Sequence, residues 1–289
     1  MPGAGPLGRW CAAWALLALG VGVEPAFGAP GGSGAPADEP HDTAAGPPEP
    51  VWEGAIGLIV RQGAAYPGSA LRHTGIRPGG FLRWGPYTVT GAGGFTTRRN
   101  IDLDRGFGAE LLRTDGLRLR LNLRQDGGRA QDRSPELAGM GDIRSTLRAR
   151  FSLRWEPEPG WVLTGASSLD LLGRVGGYGL DAGVSRQWDF GHGRRLVLSA
   201  GLTGAGGGYM QTWHGVTPEQ AARSGYPVYR AADGLRGAYG AASYRHEFGR
   251  EWSSYVEASA SRLVGSAARS PLTRRAGTQG LGAGLAWRF

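Results

Sequence analysis

Lysine is absent from this 289-residue chain, cysteine occurs once, and no apolar run after residue 28 approaches the length of a membrane helix. Each absence excludes something. The single cysteine, Cys11, falls in an N-terminal apolar stretch of signal-peptide type, so the mature chain is expected to carry no disulfide, thiol nucleophile or thiolate metal site. The longest uninterrupted apolar run, about Ala55 to Val60, is far short of the roughly 20 residues a membrane helix requires. Any span must therefore be built of strands. Because lysine is missing, all 32 basic side chains other than histidine are Arg, and the formal charge of +8 partly reflects residue usage. Such a charge is weak evidence for nucleic acid, and no nucleic-acid partner is expected.

What is present points to export and to a lipid boundary. Arg9, the apolar stretch Cys11 to Val23 and the small-x-small site Ala26-Phe27-Gly28 make residues 1–28 a signal peptide, cut between Gly28 and Ala29. Residues 29–50, rich in Pro, Gly and Ala, read as a flexible leader. Residues 51–289 then form one domain. The chain ends in LGAGLAWRF, where Leu281, Leu285, Trp287 and Phe289 share one face of an extended strand and Gly282, Gly284, Ala286 and Arg288 the other. An apolar face with two terminal aromatics, backed by small or polar residues, suits a closing strand between lipid and a wet lumen. Trp287 and Phe289 also resemble the C-terminal insertion signal of outer-membrane barrels, which implies the barrel-assembly machinery as a partner.

Alternation recurs along the chain. Leu117, Leu119, Leu121 and Leu123 interleave with Arg118, Arg120, Asn122 and Arg124, and Phe151, Leu153 and Trp155 with Arg148, Arg150, Ser152 and Arg154. The fold class is all-β, an antiparallel transmembrane β-barrel of twelve strands: about 52–62, 75–84, 87–96, 105–113, 117–125, 145–155, 161–171, 179–190, 194–205, 235–247, 251–263 and 278–289. Five connections are short and turn-like, and aromatics collect at that end (Trp84 and Tyr87, Trp155 and Trp161, Trp188 and Phe190, Phe248 and Trp252, then Trp287 and Phe289). They form one interfacial girdle and place both termini on the periplasmic side of the outer membrane. Face parity favours a three-residue turn at 114–116, with Glu110 opposite Arg120 and Leu111 opposite Leu119, and a turn at 191–193 that sets Trp188 opposite Leu196. Strand 10 alternates poorly at Tyr239, Tyr244 and His246.

The longest connection, about Gly206 to Gly234, is expected to be an extracellular loop holding a short helix at 218–224. Thr217 can cap it, Pro218 suits its first position, Gln220 completes a capping box and Gly225 stops it. Tyr209, Trp213, Tyr226 and Tyr229 in this loop are candidates either for a partner-binding face or for a plug in the barrel mouth. Gly204 to Gly208 follows a strand but is read as opening no helix and lacks a phosphate-loop lysine, so it is taken as a strand exit.

Several stretches resemble the MltA-interacting protein family (MipA/OmpV family) of outer-membrane proteins. The carrying residues are Tyr209, Gly215-Val216-Thr217, Gln220-Ala221, Ser224-Gly225, Tyr229 and Gly234-Leu235, then Ser261 to Gly265, Ser270-Pro271 and the Gly-rich last strand, with Tyr66, Gly68-Ser69 and Arg83-Trp84-Gly85 near the start. The resemblance implies an outer-membrane barrel, described for some members as a scaffold joining a lytic transglycosylase to a murein synthase. It carries over no catalytic residue. The Pro/Gly/Ala leader and the Arg-rich strands 5 and 6 depart from the family pattern.

Lumen-facing candidates are Glu110, Arg118, Arg120, Arg124, Arg148, Arg150 and Arg154. The arginines either select anionic solutes, bind lipopolysaccharide phosphate, or fill a narrow wet interior paired with Glu110, Asp170 or Asp181. The five histidines are scattered, and no Ser-His or Asp-His rim pairing stands out, so no catalytic, metal or cofactor-binding residue and no enzyme activity is expected. Two function classes follow: a scaffold for murein hydrolase and synthase, or a small anion-preferring pore or surface interaction barrel. Lipid and lipopolysaccharide are its surroundings in either case. A scaffold would have to use Glu53, Glu156, Glu158, His192, Arg250 and the leader.

Overall fold

The computed structural model describes residues 52–91, 105–249 and 251–289. The signal peptide, its Gly28/Ala29 cleavage site, the leader and Arg250 lie outside the described residues. Twelve strands run in order: β1 (Trp52–Ala64), β2 (Arg72–Trp84), β3 (Tyr87–Thr90), β4 (Gly106–Thr114), β5 (Leu117–Asp126), β6 (Thr146–Glu158), β7 (Trp161–Asp170), β8 (Tyr178–Asp189), β9 (Arg194–Ala205), β10 (Gly234–Phe248), β11 (Trp252–Leu263) and β12 (Gly277–Arg288). Each pairs antiparallel with its neighbours in sequence, and β12 returns to β1 from Ala55↔Arg288 to Gln62↔Leu281. That last ladder closes the barrel. Closure satisfies backbone groups that an open edge would strand in hydrocarbon.

The closing strand has the faces read from its sequence: Leu281 and Leu285 are exposed, while Ala286 and Arg288 are buried inside. At the short-turn end the girdle is continuous around β1 to β4, with ring centroids 5.7 Å apart for Trp52 and Trp84, 5.9 Å for Trp84 and Tyr87, and 6.0 Å for Tyr87 and Phe107. Trp155, Trp161, Phe190, Phe248 and Trp252 extend it as exposed side chains. Trp287 packs 5.3 Å from Phe289 and donates its Nε1 proton to Glu251 at 3.0 Å.

One local reading is corrected, and two strands gain detail. The β4–β5 turn holds two residues, because Thr114 pairs with Leu117 and Leu112 with Leu119, and a bulge at Leu111 then restores Glu110 to Arg120. Gly116 takes the left-handed conformation (φ +77°) that this tight turn needs. Strand β3 ends at Thr90, after which the Gly91 N–H still bonds the Gly80 carbonyl at 2.9 Å. The next hydrogen-bonding position along that edge of β2 is Pro78, which has no N–H to give. The rest of the expected strand, 92–96, lies outside the described residues. On β10 a bulge between Leu235 and Gly237 resets the register, and Tyr239 turns inward. Its hydroxyl lies where a side chain at Gly201 would begin, 2.2 Å from an ideal Cβ, so glycine on β9 is what gives this tyrosine room. The 191–193 turn sets Trp188 opposite Leu196 as expected.

Candidate functional site

The inward faces of β4 to β8 form an arginine-lined wall. Register sets Arg118 against Arg154 and Arg124 against Arg148, with Arg150 opposite Asn122. Like charges directly across a ladder repel, so each needs a partner elsewhere. Arg148 is buried and donates from Nε to Asp126 at 2.8 Å. Arg150 reaches across two strands to Asp181 at 2.5 Å, and Arg154 meets Glu156 at 3.3 Å. Arg120 donates to the Thr88 hydroxyl at 2.8 Å. Glu110 stands opposite Arg120, and its carboxylate takes Arg113 at 2.6 and 3.0 Å.

Of the expected counter-charges, Asp181 serves, whereas Asp170 does not pair with an arginine. It accepts instead from the Thr146 hydroxyl and from the backbone N–H groups of Leu172, Val175 and Gly176. It thereby folds the β7–β8 connection inward. On the opposite side Ala55, Ile59, Phe81, Tyr255 and Ala286 pack into a buried cluster between β1, β2, β11 and β12, among the ion pairs Arg61–Glu257, Arg83–Glu53 and Arg288–Glu247.

Above the lumen the long connections converge into a cap. Two helices stand in the β9–β10 connection, α1 (Gly207–His214) and α2 (Pro218–Ser224), and a short α3 (Gly265–Ala268) follows β11. Helix α2 has the expected capping box, Pro at its start and left-handed Gly225 at its end. Helix α1 corrects the reading of Gly204 to Gly208, which does open a helix. It has no side-chain cap, and it holds because Tyr209, Met210, Trp213 and His214 are buried.

Those residues meet Val175, Ala205, Ala231, Leu263 and Ala267 in one cluster, while Met140, Val216 and Leu272 form a second. Side chains from the β5–β6, β7–β8, β9–β10 and β11–β12 connections take part, and the β1–β2 connection joins through Tyr66. Tyr66 donates to the Leu272 carbonyl at 3.0 Å, and Arg129 donates to the Trp213 carbonyl at 3.1 Å. The Arg129 guanidinium also lies over the Tyr66 and Trp213 rings, 5.9 and 5.8 Å from their centroids, which attracts a cation that has lost its water. Tyr209 accepts from Arg236 at 2.7 Å, and Arg148 rises 5.0 Å over its ring, joining cap to lumen wall.

The loop aromatics pack into the cap, Tyr209 and Trp213 most deeply. Tyr209 and Trp213 are 7% and 4% exposed. Tyr226 and Tyr229 are half-buried, with their hydroxyls donated to the Glu136 and Ser266 carbonyls at 2.9 and 2.8 Å. Among the proposed scaffold contacts, Glu53 is buried beside Arg83, and Glu156 is half-buried against Arg154. Glu158 and His192 remain exposed.

The cap contains a titratable weak point. Burial, reinforced by Arg236 and Arg129, pushes the His214 imidazole down to about 3, and its Nε2 has no hydrogen-bond partner among the described residues. Burial also lowers Arg129 to about 10, so it stays charged, and raises the Tyr66 hydroxyl. Since the unfolded chain protonates His214 near pH 6.5 and the folded cap only near 3, its contribution is complete above about 6.5. That contribution falls as acidity rises toward 3. Cap stability should drop by on the order of 1 kcal/mol per pH unit across that window. Hydrogen exchange of residues 206–233 measures it, and His214→Gln should flatten the slope.

The family model for "MltA-interacting protein MipA" matches residues 56–289. The chain belongs to the MltA-interacting protein family. The match starts inside β1 and runs to the last residue, so lumen, cap and closing strand all fall within the family region, and the chain is an outer-membrane barrel protein. Among curated proteins none matches. Solved structures with similar barrels include the Salmonella typhi OmpF complex with daunomycin (9% identity, covering 82% of this chain and 97% of that one, TM-score 0.36). The Ralstonia pickettii toluene transporter TbuX (13%, 83% and 89%, 0.38) and an anion-selective porin from Comamonas acidovorans (8%, 83% and 99%, 0.35) are further examples. At these values the likeness carries no argument about function.

Proposed function

We propose that this barrel works by binding rather than by conduction, as an outer-membrane platform that gathers murein-processing enzymes at its periplasmic face. The observation that supports it is the cap: among the described residues, four connections at the long-loop end share buried clusters and a fifth joins them through the Tyr66 hydrogen bond, which narrows the mouth. The family's name supports the partner class, because it describes interaction with MltA. On this reading, export through the signal peptide and insertion by the assembly machinery leave the termini and the short turns in the periplasm. Exposed Asp115, Glu158, His192 and Glu251, together with the leader, then supply the contact. Short turns offer little area, so the leader must carry much of it.

The test is affinity capture from detergent-solubilised membranes, beside bilayer conductance of the same sample. Co-purification of a lytic transglycosylase and a silent bilayer are expected. Steady conductance without a murein enzyme would overturn the reading. Orientation is checked separately: an epitope at Gly225 should label on intact cells, whereas one at His192 should need a permeabilised outer membrane. The reverse pattern would invert the barrel.

A further inference from the structure

At the long-loop rim, where β10 to β12 meet the end of β1, lies a groove of about 500 Å³. Three arginines line it, Arg72, Arg262 and Arg275, around small residues that include Ala238, Ala260 and Gly277, and no carboxylate does. All three arginines are exposed. None forms an ion pair with a described residue. Arg72 bonds only neutral acceptors, the Gln62 side chain at 3.2 Å and the Gln279 carbonyl at 3.4 Å. Glu136, bound to the Ser69 hydroxyl and the Ala70 N–H beside the groove, is not among its lining residues.

Height above the girdle says what these charges face. On β11, Val256, Ala258, Ala260 and Arg262 share the outward, exposed face that begins at Trp252. Ten residues of strand at about 3.3 Å each, tilted by about 40°, climb about 25 Å. That is the height of the apolar band of an outer-membrane barrel. Arg262 thus stands at the opposite membrane boundary from the aromatic girdle, facing outward, at the level of lipid headgroups. The outward residues below it, Ala258 and Ala260, are small and leave room for acyl chains against the wall.

We propose that this groove binds the phosphate of a phosphorylated glycolipid in the outer leaflet, with Arg72, Arg262 and Arg275 as donors and the small-residue wall seating its chains. Guanidinium suits the role, because its planar fork pairs phosphate oxygens two at a time. The proposal rests on the long-loop end facing outward. Binding in micelles does not depend on orientation, so epitope labelling and lipid binding can fail independently.

The test is native mass spectrometry of the full-length barrel in detergent, titrated with bis-phosphorylated lipid A. One adduct per barrel is expected, with at least about tenfold weaker binding in Arg72→Gln/Arg262→Gln/Arg275→Gln, since each removed charge near a phosphate surface weakens association several-fold. Arg144→Gln/Arg174→Gln, which removes two exposed rim arginines outside the groove, should bind as wild type. If the triple variant loses its heat-dependent gel shift, the single Arg262→Gln decides, with a loss of about threefold or more. Equal loss in both rim variants, equal binding of dephosphorylated lipid A, or full displacement by inorganic phosphate alone would each overturn the assignment.

Discussion

Trp213→Ala is expected to turn a silent barrel into a conducting one. The indole is buried at the centre of the cap, stacked 5.9 Å from Tyr209 and lying under Arg129. Removing a buried tryptophan costs about 3–5 kcal/mol, and the cost here falls on one packed region rather than on the strand ladders. The cap should therefore loosen while the barrel persists, visible as an unchanged heat-dependent gel shift with new proteolytic cuts in 206–233. Planar-bilayer recordings should then show steps absent from wild type, with anions preferred, because the exposed lumen wall carries more arginine than carboxylate. Adding Arg120→Glu and Arg150→Glu in the same background should move the reversal potential toward cations. A Trp213→Ala barrel that stays silent would mean that something other than this cap bars the lumen.

Phe289→Asp should cost assembly rather than conductance. The backbone of Phe289 exchanges two hydrogen bonds with Gly54, at 3.0 and 3.2 Å, and a Cβ built at Gly54 would lie 2.5 Å from the ring. The aromatic thus lies directly over glycine, at the seam where the last strand meets the first. A carboxylate there loses the packing with Trp287 and sits at the membrane boundary. Outer-membrane levels should fall several-fold, with the remainder folded and heat-modifiable. Gly54→Leu, which blocks the seat and leaves Phe289 in place, should produce a similar fall if the seam matters. Normal levels in both variants would show the terminal contact to be dispensable.

The parts legible in the sequence are those with a local period. Leu117 to Arg124 alternate because neighbouring residues of a strand face opposite sides, and Trp84-Gly85-Pro86-Tyr87 marks a turn by its own chemistry. The helix at 218–224 was readable for the same reason, since its capping box lies within four residues. Helix α1 was not, because nothing local caps it and only burial by distant loops holds Tyr209 and Trp213 in place. The two-residue turn with its bulge at Leu111 escaped because a bulge leaves the eventual pairing of Glu110 and Arg120 unchanged. It can be seen only when both strands are aligned atom by atom.

The candidate site divides along the same line. Sequence alone determined that the chain forms a closed all-β barrel, which residues face lipid, and that arginines line part of the lumen, because all three follow from alternation and the demand that buried backbone be paired. The tertiary structure decided which arginines find carboxylates, that an apolar cluster on β1, β2, β11 and β12 fills part of the lumen, and that the loop aromatics pack into the cap. Several of those outcomes join residues far apart in sequence, such as Arg150 with Asp181 and Tyr66 with Leu272. Their meeting depends on ring closure and on the packing of loops against one another, neither of which leaves a mark in any short stretch of sequence.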